Sequence, residues 1–312
     1  MDLNRLKALR ELAQRGTMAA AAEALCITPS AVSQQIAQLE AEMDQPLTER
    51  QGRGVRLTPA GLALVAHTER ILVVLDQARS ELAQLRREIA GELRIAAFPS
   101  FAAAVLPTVV QALRSAWPRL QIVLEEMEPP EGLAALGSWR ADVAVVDDLS
   151  VALASGPHGR DGPGGPALLG HQALTTDTLH VLLPAGHALA GRPALGIADL
   201  ADEDWALDST SSAWGDFIAQ LCRRAGYTPR LRARCRGFEM VSALVAAGTA
   251  VSIVPGLRLA RPVAGTCSVP LAPAAQRQIS VAFRQGERGH PAVQVVVQAL
   301  VDASAQLRAA GA

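Results

Sequence analysis

The sequence predicts a multidomain chain that begins with an all-α helix-turn-helix domain, continues in one long helix and ends in an α/β region. Apolar residues at helical spacing fill the first part of the 312-residue chain. An apolar heptad pattern then runs from Leu64 to Ile89. After Gly91, short runs of strand-forming residues alternate with helical segments. With 50% hydrophobic and 19% charged residues, the chain can bury a large core, and its length suits two or three domains.

The composition excludes several classes of protein. The 29 basic and 30 acidic residues give a net charge of -1, so any contact with nucleic acid must depend on a local basic patch. Lys7 is the only lysine and has no glycine-rich loop beside it, which excludes a Walker-type phosphate loop and Schiff-base chemistry. The histidines lack zinc-site spacing, and the sequence has neither a nucleophile elbow nor a dinucleotide loop, so we expect no enzyme, metal or other cofactor. Since it has no signal peptide and no run of ~18 apolar residues, we expect a cytoplasmic protein without a membrane partner.

Three short helices are predicted at the start of the chain. Gly16 ends the first helix, and Thr17 caps the second. Thr28 is a suitable N-cap for the third helix, and Pro29 takes its favoured first position. The buried face of the third helix consists of apolar residues at helical spacing, namely Val32, Ile36, Leu39 and Met43. The short Cys26-Ile27 turn joins the second helix to the third, and two helices joined in this way form a helix-turn-helix.

The opposite face of the third helix predicts contacts with double-stranded DNA. Short hydroxyls and amides can hydrogen-bond to base edges and phosphates in the major groove. Arginine on a narrow, glycine-centred hairpin, here residues 49–57, suits phosphate contact or insertion into the minor groove. The residues assigned to DNA are Thr28, Pro29, Ser30, Ser33, Gln34 and Gln38 of the helix, and Arg50, Arg53 and Arg56 of the hairpin. A helix face that is merely solvated is the alternative.

A long helix is predicted to follow, because Thr58 and Pro59 repeat the cap-and-proline start and Gly91 ends the segment. Its heptad seam predicts that the helix pairs with that of a second protomer. The seam residues are Leu64, Thr68, Ile71, Leu75, Ala78, Leu82, Leu85 and Ile89. The alternative is a long helix that packs within its own domain.

The rest of the chain predicts two α/β units with a largely parallel sheet covered on both faces. Strands are expected near residues 93–98, 121–125 and 142–146, and in the second unit near 179–183, 205–207, 231–235 and 251–254. A last strand at 279–283 and a helix at 291–309 close the chain. Residues 155–166, rich in glycine and proline, predict a flexible loop.

The N-terminal motifs resemble those of LysR-type transcriptional regulators. The resemblance is carried by Thr28-Pro29-Ser30-Ala31-Val32-Ser33-Gln34-Gln35-Ile36 and Leu57-Thr58-Pro59-Ala60-Gly61, and more loosely by the second half of the chain. It implies a winged helix-turn-helix domain at 1–58, a linker and dimerisation helix at 59–90 and an effector domain at 91–312. The effector domain would have two lobes similar to those of periplasmic binding proteins, with lobe 1 at 92–167 and 265–312 and lobe 2 at 168–264. Many members of the family carry glutamine and arginine where Pro29 and Gln34 stand, so the resemblance does not supply a DNA sequence preference.

The effector is expected between the lobes, where strands end and helices begin. Pro99, Ser100 and Phe101 join a predicted strand to a predicted helix, and Ser209 and Thr210 do the same in the other lobe. Glu128 and Val254 are further candidates, carried mainly by their position in the family's fold. Because acidic residues are expected here and no arginine is evidently aimed at the site, we expect a small, largely apolar or neutral polar effector.

These features predict a transcription factor that reads a dyad-symmetric DNA site and responds to a small-molecule effector. The resemblance implies a homodimer that pairs into a homotetramer, with RNA polymerase as a further partner. The alternative is a thiol-based redox sensor that uses Cys222 and Cys235, with arginines on either side of Cys235. Two packed, unreactive thiols are the more ordinary explanation of these cysteines.

Overall fold

The computed structural model describes residues 2–51, 54–86, 89–155, 168–208 and 212–310. The helices of this part of the chain are α1 (Leu3–Arg15), α2 (Met18–Leu25), α3 (Pro29–Met43), α4 (Pro59–Gln84), α5 (Pro99–Ala116), α6 (Pro129–Gly137), α7 (Asp148–Ser155), α8 (Ser212–Arg224), α9 (Phe238–Ala246) and α10 (Pro291–Ala310). Its strands are β1 (Thr48–Gln51), β2 (Gly54–Leu57), β3 (Gly91–Ala97), β4 (Leu120–Glu126), β5 (Val143–Asp147), β6 (Leu169–Pro184), β7 (Asp204–Asp208), β8 (Arg230–Cys235), β9 (Ser252–Pro255), β10 (Thr266–Pro270) and β11 (Gln276–Arg284). The predicted glycine- and proline-rich loop falls almost wholly outside the described residues.

The first three helices form the predicted helix-turn-helix, and β1 and β2 form the hairpin beside it. Thr17, Thr28 and Thr58 each accept a hydrogen bond from the amide three residues later, and thereby cap α2, α3 and α4. Leucines of α1 and the apolar face of α3 share one core with the start of α4. The predicted fold class of this domain, a winged helix-turn-helix, is confirmed.

α4 begins at Pro59 as predicted but ends at Gln84, so Ile89 lies beyond the helix. At its end the Arg86 amide bonds to the carbonyl oxygen of Ala83, three residues back, in place of the four-residue bond of a regular α-helix. One face of α4 is buried against its own chain, chiefly through Leu72, Asp76 and Ser80. That face of α4 therefore packs within its own chain, which was the alternative to pairing with a second protomer.

A single seven-stranded sheet runs through the C-terminal half in the order β10-β6-β11-β5-β3-β4, with β9 also paired to β6. Strands β4, β3 and β5 are parallel to one another, whereas β11 is antiparallel to both β5 and β6. The prediction of a largely parallel sheet is therefore wrong, and the sheet is mixed. The reason is that β11 brings the chain back from the second lobe and enters the first sheet against the direction of its neighbours.

Strand β6 is shared by two lobes. Its residues 169–178 pair with β11 in lobe 1, and residues 179–184 pair with β9 and β10 in lobe 2. The strand pairing thus favours passages between the lobes near residue 178 and between residues 270 and 276, later than the lobe boundaries expected at 167–168 and 264–265. The residue limits of the domains stay a prediction.

Each lobe has its own core. In lobe 1, α5 and α10 cover one side of the sheet and share a cluster of buried apolar residues with β3, β5 and β11. In lobe 2, Trp205 of β7 lies at the centre of a second cluster. β7 and β8 form a parallel pair, and Trp205 also bridges to Val251. Because α10 contributes to the lobe 1 cluster, the last helix packs on lobe 1, as expected from the resemblance.

Candidate functional site

The outward face of α3 carries the polar residues assigned to DNA. Val32, Ile36 and Leu39 are buried in the domain core. Because the helix repeats every 3.6 residues, the opposite side faces solvent. The predicted α3 residues are all exposed, namely Thr28, Pro29, Ser30, Ser33, Gln34 and Gln38. The Thr28 and Ser30 hydroxyls lie 2.9 Å apart, so the cap is part of the same polar surface.

The β1–β2 hairpin lies beside α3 and carries two of the three predicted arginines among the described residues. Arg50 and Arg56 are exposed, and Arg56 Nε donates to Glu49 Oε1 over 3.0 Å. Arg53 lies outside the described residues. The hairpin is fixed to α3 through Glu40, whose Oε1 accepts hydrogen bonds from the amides of Leu47 and Thr48 and from the Thr48 hydroxyl, all at 2.9 Å. An acidic residue that would repel DNA is therefore used to anchor the hairpin.

The first residues of the predicted dimerisation seam are buried within this chain, whereas the later ones are mostly exposed. Leu64 packs against the core of the N-terminal domain, and Thr68 is fully buried with its hydroxyl bonded to the Leu64 carbonyl oxygen. The later seam residues form an apolar stripe that this chain leaves mostly uncovered: Ile71, Leu75, Ala78, Leu82 and Leu85. Leu82 is 64% exposed and Leu85 is 81% exposed. Exposed leucines in a row of this length are typical of a surface that another chain covers.

A cavity lies between the two lobes, which we call the interlobe cavity. Pro99 and Ser100 line it from the start of α5, and Glu128 from the residue before α6. Val254 of β9 and Asp208 of β7 line it from lobe 2. Four of the seven residues predicted for the effector site are thus brought together by the fold.

Of the other three predicted effector residues, the structure describes only Phe101. Phe101 is fully buried in the core of lobe 1, so its assignment to the cavity is wrong. Pro99 begins α5, and the turn of the helix directs Phe101 towards the sheet, where its ring lies 5.9 Å from that of Phe98. Phe98, one residue before the helix, lines the cavity instead. Ser209 and Thr210 lie outside the described residues.

Arg277 is the main residue of the cavity that the sequence analysis missed. It is the second residue of β11 and lies directly opposite Asp177 of β6, and its Nε and Nη2 donate to Asp177 Oδ2 over 3.0 and 2.8 Å. Nη2 also donates to the Ser100 hydroxyl over 2.7 Å, and Nη1 to Asp147 Oδ2 over 3.4 Å. The guanidinium carbon lies 4.6 Å from the centre of the Phe98 ring. One signal was present: Arg277 stands in strand alternation with Ile279, a pattern that points a charge inward.

The cavity contains both carboxyl groups and an arginine, Arg277, that is paired with two aspartates. Burial, together with the nearby charges of Asp208, Asp147 and Glu131, raises the pKa of Glu128 to about 7, although Arg277 acts in the opposite direction. Trp214, Phe238 and Arg258 add aromatic and cationic groups from lobe 2. The cavity therefore offers aromatic rings for stacking and the Glu128 carboxyl for a hydrogen bond, while the charge of Arg277 is already neutralised by its aspartate partners.

The two cysteines of the redox alternative are both buried. Burial is the largest cause that raises the pKa of the Cys222 thiol, and burial with Asp208 raises that of Cys235. A raised thiol pKa leaves less of the reactive thiolate at neutral pH. These environments favour packed thiols and give no support to a sensing role.

The described residues offer neither a metal-binding cluster nor a membrane-spanning helix. They contain no group of three or more histidine, cysteine, aspartate or glutamate side chains arranged to hold a metal ion. They also contain no helix with the length and hydropathy needed to cross a bilayer.

The fold and these surfaces define a class of protein: a winged helix-turn-helix DNA-binding domain joined by a long helix to a two-lobed sensory domain. Comparisons with known proteins agree. Residues 3–62 match the model for bacterial regulatory helix-turn-helix proteins of the lysR family, and residues 86–305 match the LysR substrate binding domain. The chain therefore belongs to the LysR family of transcriptional regulators, and its C-terminal part is an effector-binding domain.

Individual relatives resemble the chain over most of its length. The transcriptional dual regulator GltC of Bacillus subtilis (strain 168) is 26% identical over 256 residues, covering 82% of this chain and 81% of GltC. The regulator AlsR of the same organism is 28% identical over 264 residues, covering 82% and 80%. Among solved structures, a full-length OxyR variant from Pseudomonas aeruginosa has a TM-score of 0.62 at 22% identity, covering 96% of this chain and 94% of that one. Full-length BenM has a TM-score of 0.55 at 25% identity, covering 100% and 98%.

Proposed function

We propose that this regulator reads base edges with Ser30, Ser33 and Gln34 of α3 and holds the DNA backbone with the arginines of the hairpin. The observation that carries this proposal is the exposed polar face of α3, which lies opposite a buried apolar face. Glutamine can bond to adenine through two hydrogen bonds, and arginine suits phosphates and narrow minor grooves. Thr28, at the N-terminus of α3, suits a phosphate contact.

The regulator acts as a homodimer, and two dimers form a homotetramer. The uncovered stripe on α4 supports the dimer, since pairing two copies would remove exposed leucines such as Leu82 from water. Two α3 helices related by a dyad would read half-sites about one helical turn, ~10 bp, apart. RNA polymerase is the further partner that a transcriptional regulator would engage.

The interlobe cavity binds the effector, and the protein carries out no catalysis there. Arg277 brings a cation into the cavity, but Asp177 and Asp147 already pair with it, so it does not offer a free positive charge to an acidic ligand. A small neutral molecule with an apolar or aromatic body suits the Phe98 and Trp214 rings best. The protein is cytoplasmic under this proposal.

The DNA assignment is tested by selecting duplexes from a random pool with the full-length protein and sequencing them. Gln34→Ala should relax the preference at one position of the site, with a loss of about 1–3 kcal/mol for the preferred base pair. Arg53→Ala should weaken all duplexes alike and reduce the slope of log affinity against log salt by about one. Gln45→Ala, an exposed glutamine in the turn after α3, is the control and should change neither. If Gln34→Ala and Arg53→Ala gave the same specificity profile, the division between bases and backbone would be wrong.

The effector assignment is tested by a thermal-shift screen of metabolites on the full-length protein in the absence of DNA. A hit should lose its stabilising effect in Ser100→Val, because this side chain meets Arg277 inside the cavity. Ser115→Val changes an exposed serine on the same helix and should retain the effect. A hit that stabilises both variants equally binds elsewhere.

A further inference from the structure

The N-terminal domain and α4 touch lobe 1 around one side chain, Trp139, in the turn after α6. The indole Nε1 donates to Asp76 Oδ1 of α4 over 3.3 Å. Lys7 Nζ of α1 lies 4.2 Å from the ring centre, and the guanidinium carbons of Arg10 and Arg284 lie 5.6 Å from it. We call these five residues the Trp139 cluster. They come from three separate parts of the molecule, namely α1, α4 and lobe 1.

Three of the charges in the Trp139 cluster, those of Asp76, Arg284 and Arg10, are buried and paired, whereas Lys7 is half-buried. Asp76 and Arg284 side chains are 3% and 7% exposed, and Asp76 Oδ2 lies 3.3 Å from Arg284 Nε. Arg10 Nη1 donates to the Gly137 carbonyl oxygen over 2.8 Å. Separating only one partner of such pairs would leave a buried charge without compensation, which fixes the docked position. Full separation would return the charges to water, so this polar contact can open without exposing a large apolar surface.

Two regular elements connect this cluster to the interlobe cavity. Glu128 lines the cavity and immediately precedes α6, whereas Gly137 ends α6 and accepts the hydrogen bond from Arg10. Strand β11 has the same arrangement. Arg277, near the start of the strand, lines the cavity, and Arg284 is the last residue of the strand. Arg284 Nη1 also donates to the Leu136 and Ala141 carbonyl oxygens over 3.1 and 2.7 Å, which ties the far ends of α6 and β11 together.

We propose that the Trp139 cluster is the contact through which the interlobe cavity controls the position of the DNA-binding domain within its own chain. This inference rests on the proposed role of the cavity as the effector site. A change in how the lobes close moves the cavity ends of α6 and β11, and a helix and a strand transmit that movement to their other ends. There, the Asp76–Arg284 pair is favourable when it is docked or when it is fully separated in water, since a half-open pair would leave a buried charge uncompensated. Coupling is reciprocal, so DNA binding at α3 must in turn alter α6 and β11.

The experiment uses this reciprocity, because it needs DNA but no effector. The probe is a duplex selected from a random pool by the wild-type protein, and the measurement is hydrogen exchange of the full-length chain with and without that duplex. In the wild type, the duplex should change amide exchange at residues 128–137 and 276–284 by at least about fivefold. Gly137→Leu should abolish this change, since a Cβ at residue 137 would lie 3.6 Å from Arg10 Nη2 and the rest of the side chain would push the arginine away.

A matched variant controls for the substitution itself. Gly191→Leu makes the same change in lobe 2, where an added Cβ meets no atom within 4 Å, and the exchange response to DNA should persist. Trp139→Phe provides a second probe if Gly137→Leu fails to fold, because it keeps a ring but removes the donor to Asp76. The proposal is overturned if the duplex binds but leaves exchange at 128–137 and 276–284 unchanged, or if the response survives in Gly137→Leu or Trp139→Phe. A failure of the cavity assignment would show separately, in the thermal-shift screen without DNA.

Discussion

Replacing Arg277 by methionine should destabilise the protein strongly, because the guanidinium is the shared partner of two buried carboxylates. The Arg277 side chain is 5% exposed, and those of Asp147 and Asp177 are 2% and 3% exposed. Methionine fills similar volume but leaves both charges without a cation. Removing one partner of a buried ion pair costs about 3–5 kcal/mol, which is the loss we expect in the free energy of unfolding.

The loss should be partly reversible by a second substitution. Asp177→Asn removes one of the two uncompensated charges while keeping the acceptor for the Leu257 amide, which donates to Asp177 Oδ1 over 3.0 Å. The double variant should therefore be more stable than Arg277→Met alone, with a coupling energy of about 2–3 kcal/mol in the double-mutant cycle. Urea unfolding followed by circular dichroism at neutral pH measures all four proteins.

An exposed ion pair is the control for this cycle. Arg94→Met removes an arginine that pairs with Glu92 at the surface, where both side chains are almost half exposed. Exposed pairs contribute less than about 1 kcal/mol, so this variant should unfold close to the wild type. The reasoning is refuted if Arg277→Met costs no more than Arg94→Met, or if Asp177→Asn adds to the loss instead of relieving it.

Two further predictions concern α4 and the cavity. Leu82→Glu should shift the protein from dimer to monomer in light scattering, because the new charge would be buried in the paired stripe. The control Gln77→Glu, at an exposed position off the stripe, should leave the dimer intact. An unchanged mass for Leu82→Glu would rule out the stripe as the dimer contact. The wild type should lose stability relative to Glu128→Gln as pH rises from 4.5 to about 7, because the folded chain holds the Glu128 proton more tightly than the unfolded chain. The difference in the free energy of unfolding should reach about 3 kcal/mol and stay constant above that range. Equal urea midpoints for the two proteins at pH 5 and pH 8 would contradict this.

The sequence by itself determined the parts of the molecule that depend on short-range spacing. The caps at Thr28 and Thr58, the exposed polar face of α3 and the apolar stripe on α4 all follow from residues a few positions apart, because a helix repeats its faces every 3.6 residues. Strands in the second half were also predictable, since runs of β-branched residues between turns are local features. The predicted end of α4 was less accurate, because no local residue before Gly91 breaks the helical pattern.

Only the tertiary structure decided which distant residues meet. Arg277 and Asp177 are 100 residues apart in the chain and become neighbours through the antiparallel pairing of β11 with β6. Asp76 and Arg284 are brought together because α4 packs on lobe 1. Phe98 rather than Phe101 faces the cavity because α5 must turn its apolar side to the sheet. Local pattern fixes which side chains share a face, but the pairing of strands and the docking of domains select their partners, and those choices depend on the burial and charge of the whole chain.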